Sequence, residues 1–405
     1  MIAFSQALER ILEACTPLGS ERVALAAAAG RIAAATVAAR EDLVPFARSA
    51  MDGFAVRVAD LAAAPVELAV RARSFPGDGA VDHAPGTASA VATGAPVPRG
   101  ADAVLPIEDV ETSDGVVRIG RVVAAGAYIF GSGEDARAGD TIVERGTLLR
   151  PSALGLLAAA GHATVEVYRK PRLAIVCTGD ELVPVEATPG YGQIRNSNAT
   201  TIAAAAQAAG VSVVATSEVG DDRRLLREAL AAAMECADLV VTTGGASAGE
   251  RDFVKPLLDE LGVTFAFRTL ALRPAKPSAF GRLGAVRIGV LPGNPSSAFV
   301  ALHLLLRPAF DALSGRAGAR PRLHPARLDG RVRAKAQATF ASYARIRLDG
   351  GRLTAQPLDN QCSSLTRSAR DADGFILLPP GERTLEAGAT VDVAIFDWTN
   401  VGEAS

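Results

Sequence analysis

The feature that most constrains this chain is an alternation, between residues 171 and 315, of short, mainly apolar runs with stretches of helical spacing. Leu173–Cys177, Val211–Thr216, Leu239–Thr242 and Val286–Leu291 have the length and apolar content of strands buried in a sheet. Ala199–Ala209, Arg223–Met234, Phe253–Leu261 and Ser297–Leu306 repeat their apolar residues at helical intervals. Strand and helix in turn predict a doubly wound α/β domain over residues 171–316, whose ligands bind past the carboxyl ends of its strands.

At 405 residues the chain is too long for one hydrophobic core, so the flanking segments must form domains of their own. Residues 3–39 read as a helical lead-in with Ser5 as N-cap and Gly30 as a break. From about 41 to 140, runs such as Val66–Val70, Ala103–Ile107 and Val116–Ile119 stand between Gly, Pro and Asp punctuation, which predicts an inserted, mostly β module. Residues 141–169 return to a helical pattern, with Pro151 near N1 and an end at Gly161, and then a strand over Ala163–Tyr168. They are expected to pack with the N-terminal helices. An Arg-, Gly- and Pro-rich linker follows Gly315, and the runs Tyr343–Leu348, Phe375–Leu378 and Thr390–Phe396 predict a small C-terminal β domain. The expected domains are therefore 1–40 with 141–170, 41–140, 171–316 and 317–405.

Composition narrows the function classes. The net charge of −2 arises from 42 basic and 44 acidic residues, so there is no global basic field for nucleic acid or anionic lipid. Cys15, Cys177, Cys236 and Cys362 lack CxxC pairing, and His83, His162, His303 and His324 lack metal spacing. The N-terminus lacks the pattern of a signal peptide, and the longest apolar runs, such as Phe299–Leu306, are too short to cross a bilayer. A soluble, cytoplasmic enzyme is expected, with no nucleic-acid or membrane partner.

Polar chemistry gathers where the strands end. The first gives Thr178-Gly179-Asp180-Glu181, the second Gly220-Asp221-Asp222, and the third the stretch Thr242–Asp252, which contains Gly244, Gly245 and Ser247. A glycine-rich turn feeding a helix offers N–H groups to phosphate, and nearby carboxylates suit Mg²⁺ with substrate phosphates. Each feature alone has an ordinary reading: a strand-to-helix turn for Gly244-Gly245, and helix capping for Glu181, Asp221 or Asp252. Their convergence on one sheet edge favours a site. Pro292-Gly293-Asn294-Pro295-Ser296 forms a rigid turn before a helix, able to hold an oxyanion and also to cap the helix through Asn294 or Ser296. Arg268, Arg273 and Lys276 add a basic, proline-stiffened segment. In the β module, Asp52-Gly53 reads as a hairpin turn, and Thr93–Pro98 and Gly133-Glu134-Asp135 read as turns. The GxSxG spelled by residues 245–249 lacks a suitable histidine base, and no GxGxxG follows a strand. The residues alone thus describe an α/β enzyme that binds magnesium and oxyanions.

Seven motifs, in order, closely resemble the MoeA family of molybdopterin molybdenumtransferases, which includes the gephyrin E domain. The family's SAMDG(Y/F)A stands at Ser49–Ala55, TGAP-x-P at Thr93–Pro98, GED at Gly133–Asp135 and TGDEL at Thr178–Leu182. TGG-x-S-x-G-x-x-D stands at Thr243–Asp252, KP-x-AFG at Lys276–Gly281 and PGNP at Pro292–Pro295. The resemblance implies a MogA-like, molybdopterin-binding α/β domain in an elongated homodimer, where it faces the β module of the other subunit. It implies Asp52, Thr93 and Asp135 reaching the cleft from that partner, with Glu181, Asp221 and Asp252 serving substrate, Mg²⁺ or both. Thr178, Gly179, Asp180, Gly244, Gly245, Ser247, Lys276, Gly293, Asn294 and Ser296 would line the substrate site, and Arg273, Pro292 and Pro295 would border molybdate. The implied reaction hydrolyses adenylyl-molybdopterin, releases AMP and inserts molybdenum, upstream of acceptor molybdoenzymes and downstream of a molybdopterin adenylyltransferase.

The sequence departs from the family where Arg48 replaces Asn, where Thr269 and Arg273 replace lysines, and at the small Ala246 and Ala248. Ser363 and Ser368 fall in or beside a family serine region. The alternatives are the adenylyltransferase, which shares the α/β domain, and a gephyrin-like scaffold or degenerate paralogue.

Overall fold

The alternation between residues 171 and 315 folds into a six-stranded sheet in a computed structural model describing residues 1–245, 253–334, 337–362, 364, 366–381, 383–397 and 399. Its strands are β1 (Arg172–Thr178), β2 (Ser212–Val219), β3 (Leu239–Thr243), β4 (Thr264–Phe267), β5 (Ala279–Leu283) and β6 (Val286–Leu291). They lie in the order β2-β1-β3-β6-β5-β4; the first four are parallel, and β5 and β4 close the edge in antiparallel pairs. The connections carry α1 (Ser197–Ala208), α2 (Arg223–Cys236), α3 (Val254–Glu260) and α4 (Pro295–Ala301). Asn196 caps α1 by accepting the Ala199 N–H at 3.1 Å, and Asp222 caps α2 by accepting the Leu225 N–H at 2.8 Å. Caps of this kind contribute about 1 kcal/mol each.

Alternation along the strands builds two cores. Leu173, Ile175, Leu239 and Val241 face Ile202, Ala206 and the helix that begins at α4, whereas Ala174, Val176, Val240 and Val290 face Leu226, Leu230, Leu257 and Leu258. The helix from Pro295 runs on to Leu313, 19 residues, longer than the Ser297–Leu306 read from the sequence. Its length and composition would suffice to cross a membrane, contrary to the expectation from apolar runs, but 72% of its apolar window is buried in this core. Pro308 has no N–H to donate, and residues 302–306 just before it widen into a π-helical turn.

The helical lead-in is shorter than expected. Only Phe4–Ala14 is α-helix, its N-cap is Ala3 and not Ser5, and Ala7, Ile11 and Cys15 bury against the α/β domain. Ser20–Ala24 is instead a strand pairing antiparallel with Thr164–Tyr168, and Val37–Ala38 pairs with Thr141–Val143. Residues 20–38 therefore do join 141–168 through strand pairing, with the helix Pro151–Ala159 packed on the same core. Their small core is Ala28, Ala33, Leu149, Leu157, Val165 and Val167.

The inserted module holds a six-stranded sheet: Ala103–Pro106, Gly53–Val56, Thr87–Val91, Val66–Ser74, Val116–Ile119 and Val110–Ser113, in that spatial order. Asp52-Gly53 is a corner between sheets and not the expected hairpin, since Arg48–Ser49 pairs with Ile129–Phe130. Glycine is required at 53 by close approach, because a Cβ there would sit 1.9 Å from the Leu105 carbonyl oxygen.

The C-terminal strands join a seven-stranded sheet that also recruits Ile2–Ala3 and Leu270–Arg273. Tyr343 fastens this sheet to the α/β domain: its hydroxyl donates to the Ser296 carbonyl at 3.1 Å and accepts from the Ser296 hydroxyl at 3.0 Å.

Candidate active site

Strand order reverses between β1 and β3, so their carboxyl ends part and leave the crevice where open α/β sheets bind ligands. The two ends nearly touch at their base. Gly244 has φ of +92°, and a Cβ on it would lie 2.0 Å from the Thr178 carbonyl oxygen. Gly245, at φ of +53°, presses against Val254 in the same way. The glycine pair is therefore dictated by both backbone conformation and space, and it keeps bare main chain at the crevice floor.

Carboxylates surround this floor. The Thr178 hydroxyl donates to Asp221 at 3.2 Å, and the Asp180 carboxylate accepts the Asp221 N–H at 2.9 Å, which joins the ends of β1 and β2. The Glu181 carboxylate lies where a Cβ on Gly179 would fall, 2.4 Å from that position. Cys177, one residue below Thr178, is buried, and burial pushes its thiol up to about 11, so it remains a neutral thiol.

Two residues absent from the sequence reading complete the crevice. Asn198 donates to the Thr243 hydroxyl and to the Gly293 carbonyl, both at 2.8 Å, and Thr243 donates to the Pro292 carbonyl at 3.1 Å. Asn196 donates to Glu218 at 2.9 Å while capping α1. Asn198 and Thr243 hold the proline turn against the glycine turn, with Gly293 packed on Gly244. Arg195 also lines the resulting cavity, with Thr178, Glu181, Thr243 and Pro295. The one local signal of Asn196 and Asn198, two asparagines beside a helix start, is also the pattern of ordinary capping.

The other predicted groups divide. Register sets Ala279 opposite Val290, so the turn bearing exposed Arg273 and Lys276 stands at the crevice end of the sheet. Arg268 does not join them; it pairs with Asp259 and lies 4.2 Å over the Phe265 ring. Asn294 sits at the α4 N-cap without a side-chain cap bond, and Pro295 occupies the first turn. Ser296 is buried, with its hydroxyl committed to Tyr343. Ser247 and Asp252 lie outside the described residues.

In the β module, Asp52 accepts both the Thr93 N–H at 2.7 Å and the Thr93 hydroxyl at 3.0 Å. Those bonds, the backbone one foremost, hold the exposed Asp52 carboxyl below the usual carboxylate range. Asp135 is exposed on a loop whose Gly133, at φ of +63°, packs on Asp42. The crevice cavity is lined by none of Asp52, Thr93 or Asp135.

Comparison with known proteins matches this arrangement from end to end. The family models that fit are the MoeA N-terminal region (domain I and II) over residues 2–161, a probable molybdopterin binding domain over 174–312, and the MoeA C-terminal region (domain IV) over 327–396. The molybdopterin molybdenumtransferase of Haemophilus influenzae is 33% identical over 417 residues, covering 98% of this chain and 99% of that protein. That of Bacillus subtilis is 33% identical over 411 residues, covering 99% and 96%. A crystal structure of a molybdopterin biosynthesis MoeA protein from Pyrococcus horikosii superposes with a TM-score of 0.83 at 30% identity, covering 98% of this chain and 99% of that one. The chain belongs to the MoeA family of molybdopterin molybdenumtransferases.

For a MoeA protein the donor set at the crevice can be tested against Mg²⁺. Among the described residues no three of His, Cys, Asp and Glu gather into a protein cage. Glu181 and Asp221 on glycine-bounded strand ends nevertheless fit this ion, which commonly takes one or two carboxylates, keeps its waters and shares substrate phosphates.

Proposed function

We propose that this chain, like the molybdenumtransferases it resembles, inserts molybdenum from molybdate into adenylyl-molybdopterin with release of AMP, the last step of molybdenum cofactor assembly. The observation that carries this reading is the glycine-floored, carboxylate-rimmed crevice between Thr178 and Gly244, in a chain matching the family over its whole length. The close-packed glycines Gly244 and Gly293 keep side chains off the crevice floor, where main-chain N–H groups of the two turns would meet the charge of a pyrophosphate. Arg273 and Lys276 supply cations for the molybdate oxygens beside the proline turn. Glu181 and Asp221, with Asp252, would hold Mg²⁺, which when bound offsets phosphate charge as the anhydride breaks. A water oxygen forms the new P–O bond, the anhydride P–O bond breaks, and AMP leaves. The dithiolene sulfurs belong to the substrate, so the buried Cys15 and Cys177 take no part.

The β-module residues complete the site in a homodimer, Asp52, Thr93 and Asp135 arriving from the partner subunit. Their absence from the crevice cavity within one chain supports that arrangement. The protein acts in the cytoplasm and hands its product to acceptor molybdoenzymes. The test is AMP release from adenylyl-molybdopterin by purified protein. Release that requires both molybdate and Mg²⁺, with product that activates a cofactor-free molybdoenzyme, is expected; release independent of molybdate would overturn the reading.

A further inference from the structure

Between β4 and β5 the chain leaves the α/β sheet. Leu270–Arg273 crosses to the C-terminal sheet, parallel to Ile2–Ala3 on one side and Thr339–Phe340 on the other, before the chain returns to the crevice end of β5. This excursion carries both Arg273 and Lys276. Its interior is preformed: the Leu270 N–H donates to the Lys276 carbonyl at 3.2 Å, the Ser278 N–H donates to the Ala275 carbonyl at 3.1 Å, and Leu270, Leu272 and Ala275 are buried.

The neck of the excursion is closed by one side chain from another element. Lys255, in the first turn of α3, donates from Nζ to the Arg268 carbonyl at 2.9 Å and to the Pro277 carbonyl at 2.8 Å. These carbonyls stand at the outgoing and returning ends, so one half-buried ammonium ties them together through charge-assisted bonds. Lys255 also lies three residues beyond Asp252 in the glycine-rich motif, so it links that motif's helix to the basic turn.

We infer that Lys255 is a positioning residue for oxyanion binding: by closing the neck of residues 268–277 it fixes where Arg273 and Lys276 present their charge. The inference rests on the reading of that turn as part of the molybdate site. Lysine is suited to the task because an ammonium offers three donors and no acceptor, as two converging carbonyls require.

The test compares Lys255→Met, Lys255→Arg and Lys276→Ala in the full-length protein, by kinetics of AMP release against molybdate concentration and by amide hydrogen exchange. Lys255→Met is expected to raise the KM for molybdate about tenfold while kcat stays within about twofold, as loss of roughly one charge-assisted bond of positioning implies. Exchange should quicken in residues 268–278 and not elsewhere in the α/β domain. Lys255→Arg, which also donates to two carbonyls, should restore most of the affinity. A raised KM in Lys276→Ala with an unchanged KM in Lys255→Met overturns the positioning role alone. An unchanged KM in Lys276→Ala overturns the reading beneath it. Lys255→Met with fixed KM, reduced kcat and faster exchange throughout the domain marks a structural role and also overturns the inference. If Lys255→Met does not fold, Lys255→Gln is measured against the same outcomes.

Discussion

Replacing Tyr343 with phenylalanine isolates the contact that fixes the proline turn. The ring would keep its packing, with centroids 5.1 Å from Phe375 and 6.1 Å from Phe299, so only the hydroxyl is lost. That hydroxyl serves both the Ser296 carbonyl and the Ser296 hydroxyl, and both residues are 1% exposed. Its removal leaves a buried serine hydroxyl without its partner, a loss of about 1–3 kcal/mol. Ser296→Ala should cost less, about 1 kcal/mol, because the tyrosine still donates to the main-chain carbonyl. The double variant should fall short of the summed losses by about 0.5 kcal/mol or more, as directly bonded pairs do. Urea unfolding midpoints of the wild type, both single variants and the double variant measure this cycle, with the molybdate KM recorded alongside. Strict additivity, or Ser296→Ala at wild-type stability with a raised KM, would refute the argument and return Ser296 to the substrate.

Three further outcomes follow from the same geometry. Gly244→Ala places a Cβ 2.0 Å from the Thr178 carbonyl oxygen at φ of +92°, so it should reduce AMP release at least tenfold and lower stability by about 2 kcal/mol or more; wild-type kinetics would contradict the close approach. Thr93→Val removes the hydroxyl bond that helps hold Asp52 ionised, so the Asp52 carboxyl should rise toward its ordinary value and any acid limb of the rate profile that it governs should move to higher pH. Burial, with Arg307 adding to it, pushes His303 down to about 3, below its unfolded value, so its ring should show no protonation shift by NMR between pH 5 and 8. The sign for stability follows: the unfolded state takes up the proton first, so His303 weakens the fold as pH falls below about 6.5 and has no effect above it.

The α/β domain was legible because its four parallel strands are mainly apolar and end in Gly, Asp and Thr. The edge strands Thr264–Phe267 and Ala279–Leu283 were not, since each is short and bordered or interrupted by polar residues and glycine. The alanine-rich stretch after Ala14 suggests helix by propensity, but Ser20–Ala24 finds a strand partner at Thr164–Tyr168, and a pairing across such a separation leaves no local trace. Asp52-Gly53 looked like a hairpin because glycine is common in turns; here glycine answers the approach of Leu105. In the site, strand-end carboxylates and glycines could be placed from spacing and topology. Asn196 and Asn198 were hidden by their resemblance to caps. Nothing local in the sequence shows that the Ser296 hydroxyl is committed, because its partner, Tyr343, lies 47 residues away on another sheet.

The most direct test of a site shared between subunits is a purified hybrid dimer of Asp52→Ala with Glu181→Ala, assayed for molybdate-dependent AMP release beside the two parent homodimers. Inactive parents and a hybrid with about half the wild-type rate are expected, because one of its two sites then carries neither change. Parents that are inactive and a hybrid that is equally inactive would contradict it.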